Sequence, residues 1–360
     1  MIVPGPDNPF FKIMRGLFYG WILVLVLALF PYTEDPATPV KLLISAFAAV
    51  LITGVWTLGM ITRRVPWRPV GVSLYLLVAF LVVQCGAALF SDALVRSLHA
   101  LLPWMIFGIL AFHGQLLFAH TRHLRNLFRA IVGSVALSSI YGLLQYAGLD
   151  PFPWALRNVE EYRGLPATYG NPNFAGHALV IALVLCGGLA VEAWRRKKRR
   201  YELAACLVGG ALLFTHLYLT HMRGGMVALA LGALAVLVAA RIHRRTKNTL
   251  LAWVFGVAVS GAIVIGGMLT VLFFAPHLNL DSSLQLRLHG YAGASALFLD
   301  HSISGIGPGN YAFHNTPYWS DFEALWYALE GKRNHHVHNE WLEIAVESGV
   351  GGRFLFIFLF

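Results

Sequence analysis

The chain has 360 residues, of which 58% are hydrophobic and 12% are charged, with 27 basic and 17 acidic side chains. Soluble domains carry about 25% charged residues, so this composition excludes a soluble fold and predicts a polytopic membrane protein. The formal net charge of +10 then reports membrane topology, with a contribution from anionic lipids, rather than a nucleic-acid-binding surface.

Nine apolar runs have the character of membrane-crossing helices, since ~20 helical residues span ~30 Å of hydrocarbon. They lie at 17–31, 40–61, 70–90, 99–118, 130–148, 172–193, 203–220, 224–240 and 249–274. A tenth run begins after His338 and is still apolar at Phe360, so we expect a truncated C-terminus with further spans beyond it.

The runs predict an all-α fold in three parts. Residues 1–275 form a transmembrane bundle of about nine helices, and residues 276–338 form a large polar loop with short helices. Residues 339–360 form a helix and the start of a further span.

The basic residues are distributed unevenly over the loops between the runs. They concentrate near the N-terminus and in the short loops 62–68, 119–129, 194–200 and 241–248, whereas the alternate loops are acidic or neutral. Lys and Arg accumulate in cytoplasmic loops. We therefore predict a cytoplasmic N-terminus and an outer position for the 276–338 loop.

Several other function classes lack their sequence signals. There is no P-loop, which excludes ATP hydrolysis at such a site. The three cysteines, Cys85, Cys186 and Cys206, all lie in apolar runs and form neither a disulfide framework nor a CxxC zinc pattern. The middles of the runs carry almost no ionisable residues, which disfavours an ion-coupled transporter.

Arg223 is the clearest candidate for an anion site on the outer side. It lies in the short turn between the seventh and eighth runs, at the start of a helix, beside two glycines and near His216 and His221. Free N–H groups at a helix N-terminus and a guanidinium together favour an anion. Interfacial snorkelling of a single arginine is the alternative.

Arg287 is the second candidate. Residues 281–283 are typical of a helix N-cap, which places Arg287 one turn into a helix. A solvated arginine, or one paired with Asp281, explains the spacing equally well. Three further outer arginines are weaker candidates, namely Arg157, Arg163 and Arg333.

Three histidines, His335, His336 and His338, end the polar loop. Their spacing matches none of the standard zinc patterns, so we expect no metal site. The rings could be structural and satisfied by backbone carbonyls, or one of them could be a general base poised near neutral pH. His338 is favoured as the base because it precedes the next helix, at the level where a membrane-embedded substrate presents its head group.

Glu340, Glu343 and Glu347 follow on one helix face. They could orient the histidines or bind a cationic group. For Glu347 we favour a solvated position on a short helix that the glycines of 349–352 end.

Two other segments of the loop predict local structure. Residues 305–310 form a tight turn rather than a nucleotide-binding loop, because no lysine follows and no strand precedes them. Residues 320–323 look like a capping box that opens a helix with an apolar stripe. That stripe would lie on the membrane or cover a cavity.

Several segments in order along the chain resemble one known family, the O-antigen ligase and polymerase family of bacterial envelope proteins. The segments that carry the resemblance are 169–176, 222–225, Arg287 followed by 300–310, 338–342 and 347–352. One departure is Met222, because the family often has Ser before the arginine.

The resemblance implies a glycosyltransferase of the bacterial inner membrane that needs neither metal nor other cofactor and has a periplasmic active site. Its donor would be a glycan on undecaprenyl diphosphate, and a ligase would use a sugar hydroxyl of lipid A-core as acceptor. Arg223 and Arg287 would hold the diphosphate, and His338 would act on the acceptor. Polar neighbours are expected to contact substrate: His221, Arg163, Arg333, His336, Asn339 and Glu340.

Three alternatives stay open at this point. A polymerase of the same family would use a second lipid-linked glycan as acceptor, and a protein O-oligosaccharyltransferase would use a Ser or Thr hydroxyl. Outside the enzyme class, a lipid-linked glycan transporter would need the same kind of membrane groove.

Overall fold

The computed structural model of the protein describes residues 8–33, 35–65, 71–152, 164–196, 200–274, 282–331 and 333–359. These residues form α-helices and short connections, including 3-10 turns at Ala167–Tyr169 and Thr316–Tyr318, and they contain no strand. The α-helices are α1 (Pro9–Leu27), α2 (Thr38–Ile61), α3 (Val72–Leu89), α4 (Leu94–Leu117), α5 (Thr121–Tyr146), α6 (Pro172–Arg195), α7 (Arg200–Leu219), α8 (Arg223–Thr246), α9 (Thr249–Phe274), α10 (Ser282–Asp300), α11 (Tyr311–His314), α12 (Asp321–Glu330) and α13 (Glu340–Leu359).

Nine of the described helices, α1 to α9, contain stretches long and apolar enough to cross a membrane. The prediction of an all-α, multi-pass membrane protein is therefore confirmed. Some helices begin earlier than their apolar runs, since α1 begins at Pro9 and α5 begins at Thr121. Asn8 caps α1, because its side chain accepts a hydrogen bond from Phe10 N at 2.9 Å. Arginine is a good helix former, so hydropathy predicts the apolar length of a span but not the helix end.

The chain divides into two compact units. The first combines residues 1–66 with 117–273 and therefore holds α1, α2 and α5 to α9. Within it, α6 packs on α5 and α7, and α1 packs on α2 and α5. The buried core of this unit includes small and branched residues such as Ala175, Leu179 and Leu217. Small residues let membrane helices approach closely.

Polar groups tie the helices of the first unit together near the ends of the spans. Lys41, in the first turn of α2, donates from Nζ to Val26 O at 3.0 Å and satisfies a carbonyl in the last turn of α1. Thr168 Oγ1 donates to the same carbonyl at 2.6 Å. Because Lys41 lies at the start of α2, the middle of that span stays apolar.

The second unit combines residues 67–116 with 274–360 and therefore holds α3, α4 and α10 to α13. Here α13 packs against α3 and α10, and α12 packs against α10. The rings of Phe80 and Trp104 meet edge to face at 5.2 Å. A separate buried cluster that includes Leu297, Tyr311 and Val337 lies under the polar loop. Each compact unit combines two segments that are distant in sequence. The predicted division into three consecutive parts stays a prediction.

Helix α13 is kinked at Gly349, where φ is 69° and ψ is −170°. A Cβ atom at this position would lie 2.2 Å from Ile303 O, so only glycine fits. Near the kink, Ile306 N donates to Val346 O at 3.1 Å and anchors the preceding turn on the helix. The predicted break at the glycines is confirmed, and a second helical segment continues to Leu359 beyond it.

Candidate active site

The candidate histidines lie in the loop between α12 and α13, within the second unit. Val337 is buried and anchors this loop in the apolar cluster. His338 is exposed and has a φ of 59°, in the left-handed region. The Tyr291 hydroxyl on α10 donates to His338 O at 3.3 Å and holds the backbone there. A non-glycine residue in a sparsely populated conformation costs roughly 1–3 kcal/mol, and such residues cluster at functional sites.

Glu343, in the first turn of α13, binds the same loop with both carboxylate oxygens. Its Oε1 lies 2.7 Å from His336 Nδ1, and its Oε2 accepts a hydrogen bond from Val337 N at 2.9 Å. The hydrogen bond to Glu343 raises the pKa of His336, so the protonated ring is favoured. Of the carboxylates considered for orienting the histidines, Glu343 has this contact in the structure.

His338 has the opposite electrostatic environment. Partial burial, followed by the positive charges of Arg287 and His336, lowers the pKa of His338. The ring is therefore neutral near pH 7 and can accept a proton. The pKa values of two histidines in one loop are thus shifted in opposite directions, His336 by a carboxylate and His338 by partial burial and nearby cations.

Arg287 lies on α10, as predicted, and its side chain is exposed. It makes no ion pair with any residue that the structure describes. Asp281, the partner considered for it, lies outside the described residues. The guanidinium therefore has no acidic partner among the described residues, and it is close enough to His338 to lower the pKa of that histidine.

Glu347 is not on a solvated face, and the prediction for this residue is wrong. Its Oε1 accepts hydrogen bonds from Gly309 N at 2.8 Å and from Tyr311 N at 3.5 Å. Burial, together with the negative charge of Glu343, raises the pKa of Glu347 to about 8. The side chain fixes the turn at 305–310 onto α13, which the helical spacing of the glutamates does not reveal.

Glu340, the first residue of α13, stays at the surface. Partial burial and the negative charge of Glu343 raise its pKa. Its predicted contact with substrate stays a prediction.

The predicted tight turn at 305–310 is present, and its last residue, Asn310, is completely buried. The Asn310 amide nitrogen donates to Ser97 Oγ at 2.8 Å, and its amide oxygen accepts from Arg96 Nη1 at 3.1 Å. Sequence reasoning misses Arg96 at the start of α4. The signal was available, because Arg96 is also an arginine at the predicted outer end of a span.

Helix α12 has the predicted capping box. Ser320 Oγ accepts from Glu323 N at 3.3 Å, and Glu323 Oε2 accepts from Ser320 N at 3.1 Å. Part of its apolar stripe is exposed, with Leu325 at 59% and Leu329 at 74%. Its expected place on a membrane or over a cavity stays a prediction.

A cavity of about 390 Å³ lies in the second unit. Its lining combines polar and aromatic side chains from α10 and α13 and their flanks: Ser295, Phe298, Leu299, Asn339, Trp341, Leu342 and Arg353. Ligand pockets of this size and mixed character hold small molecules in many proteins. Asn339, expected to contact substrate, is part of this lining.

Arg223 lies in the first unit. It is the first residue of α8 and is exposed, as predicted, and the exposed His221 precedes it with a φ of 55°. Met222, the N-cap residue, packs on α6: a Cβ atom added at Gly176 would lie 2.1 Å from Met222 Sδ. An apolar thioether therefore fills the position before the arginine, and no hydroxyl is available there.

His216 does not belong to an exposed anion site, and the prediction that it supports Arg223 is wrong. It is completely buried, with Nδ1 3.0 Å from Ser139 Oγ of α5. Arg163 lies outside the described residues. The next residue, Gly164, contacts the turn before α8, since a Cβ atom there would lie 2.2 Å from Thr220 O.

Within the described part of the chain, no group of three or more His, Cys, Asp or Glu side chains is arranged to hold a metal ion.

Residues 208–357 match the family model described as O-antigen ligase. This segment, less than half of the chain, is therefore similar to the O-antigen ligase family. No curated protein and no solved structure matches the chain.

The matched segment begins within α7 and ends within α13. It includes Arg223, Arg287 and His338, whereas α1 to α6 and Arg96 lie before it. That family consists of membrane glycosyltransferase-like enzymes, so the match supports an O-antigen ligase-like or polymerase-like function.

Proposed function

We propose that the protein transfers a glycan from undecaprenyl diphosphate to a sugar hydroxyl of lipid A-core, as an O-antigen ligase. One observation carries the proposal: His338, whose pKa is lowered, stands near the guanidinium of Arg287, which forms no ion pair with a described residue. A neutral base and a cation in one exposed site suit a reaction that removes a proton and stabilises an anionic leaving group.

The diphosphate is assigned to Arg223 and Arg287. A guanidinium binds phosphate oxygens bidentately, and Arg223 adds the free N–H groups of a helix N-terminus. The charge on the departing diphosphate grows as the glycosidic bond breaks, so cations placed there stabilise the transition state more than the ground state. No metal is required for this step.

His338 takes the proton of the acceptor. The acceptor oxygen attacks the anomeric carbon while the bond from that carbon to the diphosphate oxygen breaks. The proton passes to the neutral imidazole, and undecaprenyl diphosphate leaves with the bonding electrons. A single displacement of this kind inverts the anomeric configuration, and a positioned base contributes roughly 10²–10⁴-fold to the rate.

The remaining polar residues position the substrates. His336 is held by Glu343, which favours its protonated form, and Asn339 with Trp341 lines the cavity assigned to the acceptor sugar. His221, two residues before Arg223, and the more distant Arg163 are assigned to the donor glycan, and Glu340 is assigned to the acceptor.

The proposal includes a place in the cell. The N-terminus is cytoplasmic in the bacterial inner membrane, and the 276–338 loop faces the periplasm, in line with the charge distribution of the loops. Because the periplasm has no ATP, cleavage of the bond between the anomeric carbon and the diphosphate of the donor supplies the free energy of transfer.

The test is glycan transfer in a strain that lacks its own ligase, with lipopolysaccharide resolved on a gel. Wild-type protein is expected to attach polymer to lipid A-core, and His338→Ala is expected to abolish attachment. His335→Ala is the matched control, because this neighbouring histidine is exposed and makes no hydrogen bond to a described residue.

The other outcomes are equally informative. Uncapped core with polymer accumulating on the lipid carrier would reject the ligase in favour of the polymerase. Unchanged polymer length in that case would favour the transporter. Full attachment by His338→Ala would remove this histidine from the mechanism.

A further inference from the structure

The start of α4 holds a guanidinium against an aromatic ring of the polar loop. Arg96 Cζ lies 3.4 Å from the centroid of the Phe313 ring, and Arg96 Nη1 donates to Asn310 Oδ1 at 3.1 Å. Asn310 is itself buried and bound to Ser91 Oγ and Ser97 Oγ, both at 2.8 Å. Arg96 is therefore held in place by a stacked ring and by a rigid amide.

A second guanidinium approaches the same ring. Arg333 Cζ lies 5.4 Å from the Phe313 centroid, and Phe313 is 50% exposed. Attraction of a cation to the face of an aromatic ring acts within about 6 Å, so Phe313 positions both arginines. Arg96 comes from the second unit's early segment and Arg333 from its late segment, and only the fold brings them to one ring.

The two charges are not neutralised within the described part of the chain. Neither Arg96 nor Arg333 forms an ion pair with a described residue. A guanidinium has five N–H donors, and the contact with Asn310 accounts for one donor of Arg96. The exposed acid nearby, Asp92, lies 3.7 Å from His314 Nε2.

His314, close to Arg96, adds evidence of a positive electrostatic potential at these arginines. Partial burial, followed by the charges of His301 and Arg96, lowers the pKa of His314, although Asp92 opposes that effect. Like charges held together by structure are costly unless an anion joins them. Unused donors on two pre-positioned guanidiniums are what a tetrahedral oxyanion requires.

We propose that Arg96, Phe313 and Arg333 form a binding site for a phosphate group, additional to the diphosphate assigned to Arg223 and Arg287. The proposal rests on the proposed function and deepens it. Because Arg333 and His338 lie in the same loop, the bound phosphate belongs to the acceptor side of the reaction. Its source is either a phosphorylated sugar of the acceptor glycan or the head group of a lipid.

The first arm of the test measures binding without catalysis. Glucose 6-phosphate is titrated into the purified full chain by calorimetry, with glucose as the uncharged control probe. Wild-type protein is expected to bind the phosphate ester and not glucose. The double variant Arg96→Gln/Arg333→Gln is expected to lose at least about 10-fold in affinity, the scale of one lost charge-assisted contact.

The variants are chosen to keep the fold. Gln at position 96 retains an amide donor for Asn310, and Arg333 has no hydrogen bond to a described residue. Arg244→Gln removes one exposed arginine in the last turn of α8 and serves as the matched control. Phe313→Leu should weaken binding less than the double variant, because it removes the positioning of the guanidiniums but not their charge.

The second arm identifies the source of the phosphate. Glycan transfer is measured in proteoliposomes with native acceptor and with enzymatically dephosphorylated acceptor. If the acceptor supplies the phosphate, the double variant raises the acceptor KM about 10-fold with little change in kcat, and dephosphorylation has the same effect on wild type only. If a lipid supplies the phosphate, dephosphorylation of the acceptor should leave the acceptor KM unchanged. Transfer by wild type should then depend on phosphatidic acid in the vesicles, and transfer by the double variant should not.

The proposal and the ligase assignment fail separately. Equal affinity of wild type and double variant for glucose 6-phosphate would overturn the phosphate site, whatever the transfer assay shows. Retained phosphate binding with no transfer by wild type would leave this site standing as an anion site and reject the ligase.

Discussion

Glu343 Oε1 lies 2.7 Å from Nδ1 of His336, seven residues earlier in the chain. This contact raises the pKa of His336, and the other oxygen of the same carboxylate holds Val337 N. The loop that presents His338 is therefore fixed by α13 from one side, while Tyr291 of α10 holds the carbonyl of His338 from the other. His338, the proposed base, is therefore positioned by contacts to its neighbours and to its own backbone.

Glu343→Gln should lower the pKa of His336 toward the ordinary histidine value, because the neutral amide no longer favours imidazolium. A raised folded-state pKa stabilises the protein below the unfolded-state pKa, and this contribution is lost as pH rises through the folded value. The variant should therefore show a weaker fall in stability as pH rises. NMR titration of labelled histidine rings checks this prediction, with Glu340→Gln as a control of weaker expected effect; an unchanged His336 titration would contradict it.

Arg287→Gln should raise the pKa of His338, because a positive neighbour that disfavours imidazolium is removed. Transfer that depends on neutral His338 falls when the ring is protonated. The acidic limb of the pH–rate profile should therefore lie below the ordinary histidine pKa in wild type and move to higher pH in the variant. Arg245→Gln, an exposed arginine in the last turn of α8, should leave the limb in place.

Arg223→Ala should reduce kcat by about 10²–10³-fold, the loss typical of one contact to developing negative charge. Arg223→Lys should recover only part of the rate, because lysine restores the positive charge but not the bidentate hydrogen bonds of arginine. Single-turnover transfer from a radiolabelled donor measures both. If Arg223→Ala transferred glycan at the wild-type rate, the diphosphate would not be bound there.

Glu347→Gln should remove a pH dependence of stability. The pKa of Glu347 is raised to about 8, so the folded protein keeps a proton that the unfolded chain releases near the ordinary glutamate value. Stability from this group is complete below that value and is lost as pH rises toward about 8. Thermal unfolding between pH 5 and 8 should show a fall in Tm for wild type that is smaller in the variant; equal slopes would refute the assignment.

Gly349→Ala should destabilise the second unit. The new Cβ would lie 2.2 Å from Ile303 O, and alanine is strained at a φ of 69°. Strain at such a position costs roughly 1–3 kcal/mol before the clash is counted. Gly187→Ala in α6 is the control, because nothing lies within 4 Å of its added Cβ. A similar Tm for both variants would show that the kink is not required.

The sequence alone is sufficient for the membrane class, the nine candidate spans, the capping box of α12 and the break at the glycines of α13. These features depend on local properties: apolar length, a cap residue three positions before its partner, and glycine's tolerance of positive φ. It also points to family motifs between residues 169 and 352, and the O-antigen ligase match at 208–357 covers all of them except the first, at 169–176.

Only the tertiary structure distinguishes the roles of similar side chains. Glu343 and Glu347 lie on one helix face, yet one binds a histidine and the other binds the amides of a turn that follows α10. His216 looks like a neighbour of Arg223 in sequence but faces the bundle interior, and Arg96 meets Phe313 across more than two hundred residues. Helical spacing determines which face a residue occupies, whereas its partner, its burial and hence its pKa depend on which distant segment packs on that face.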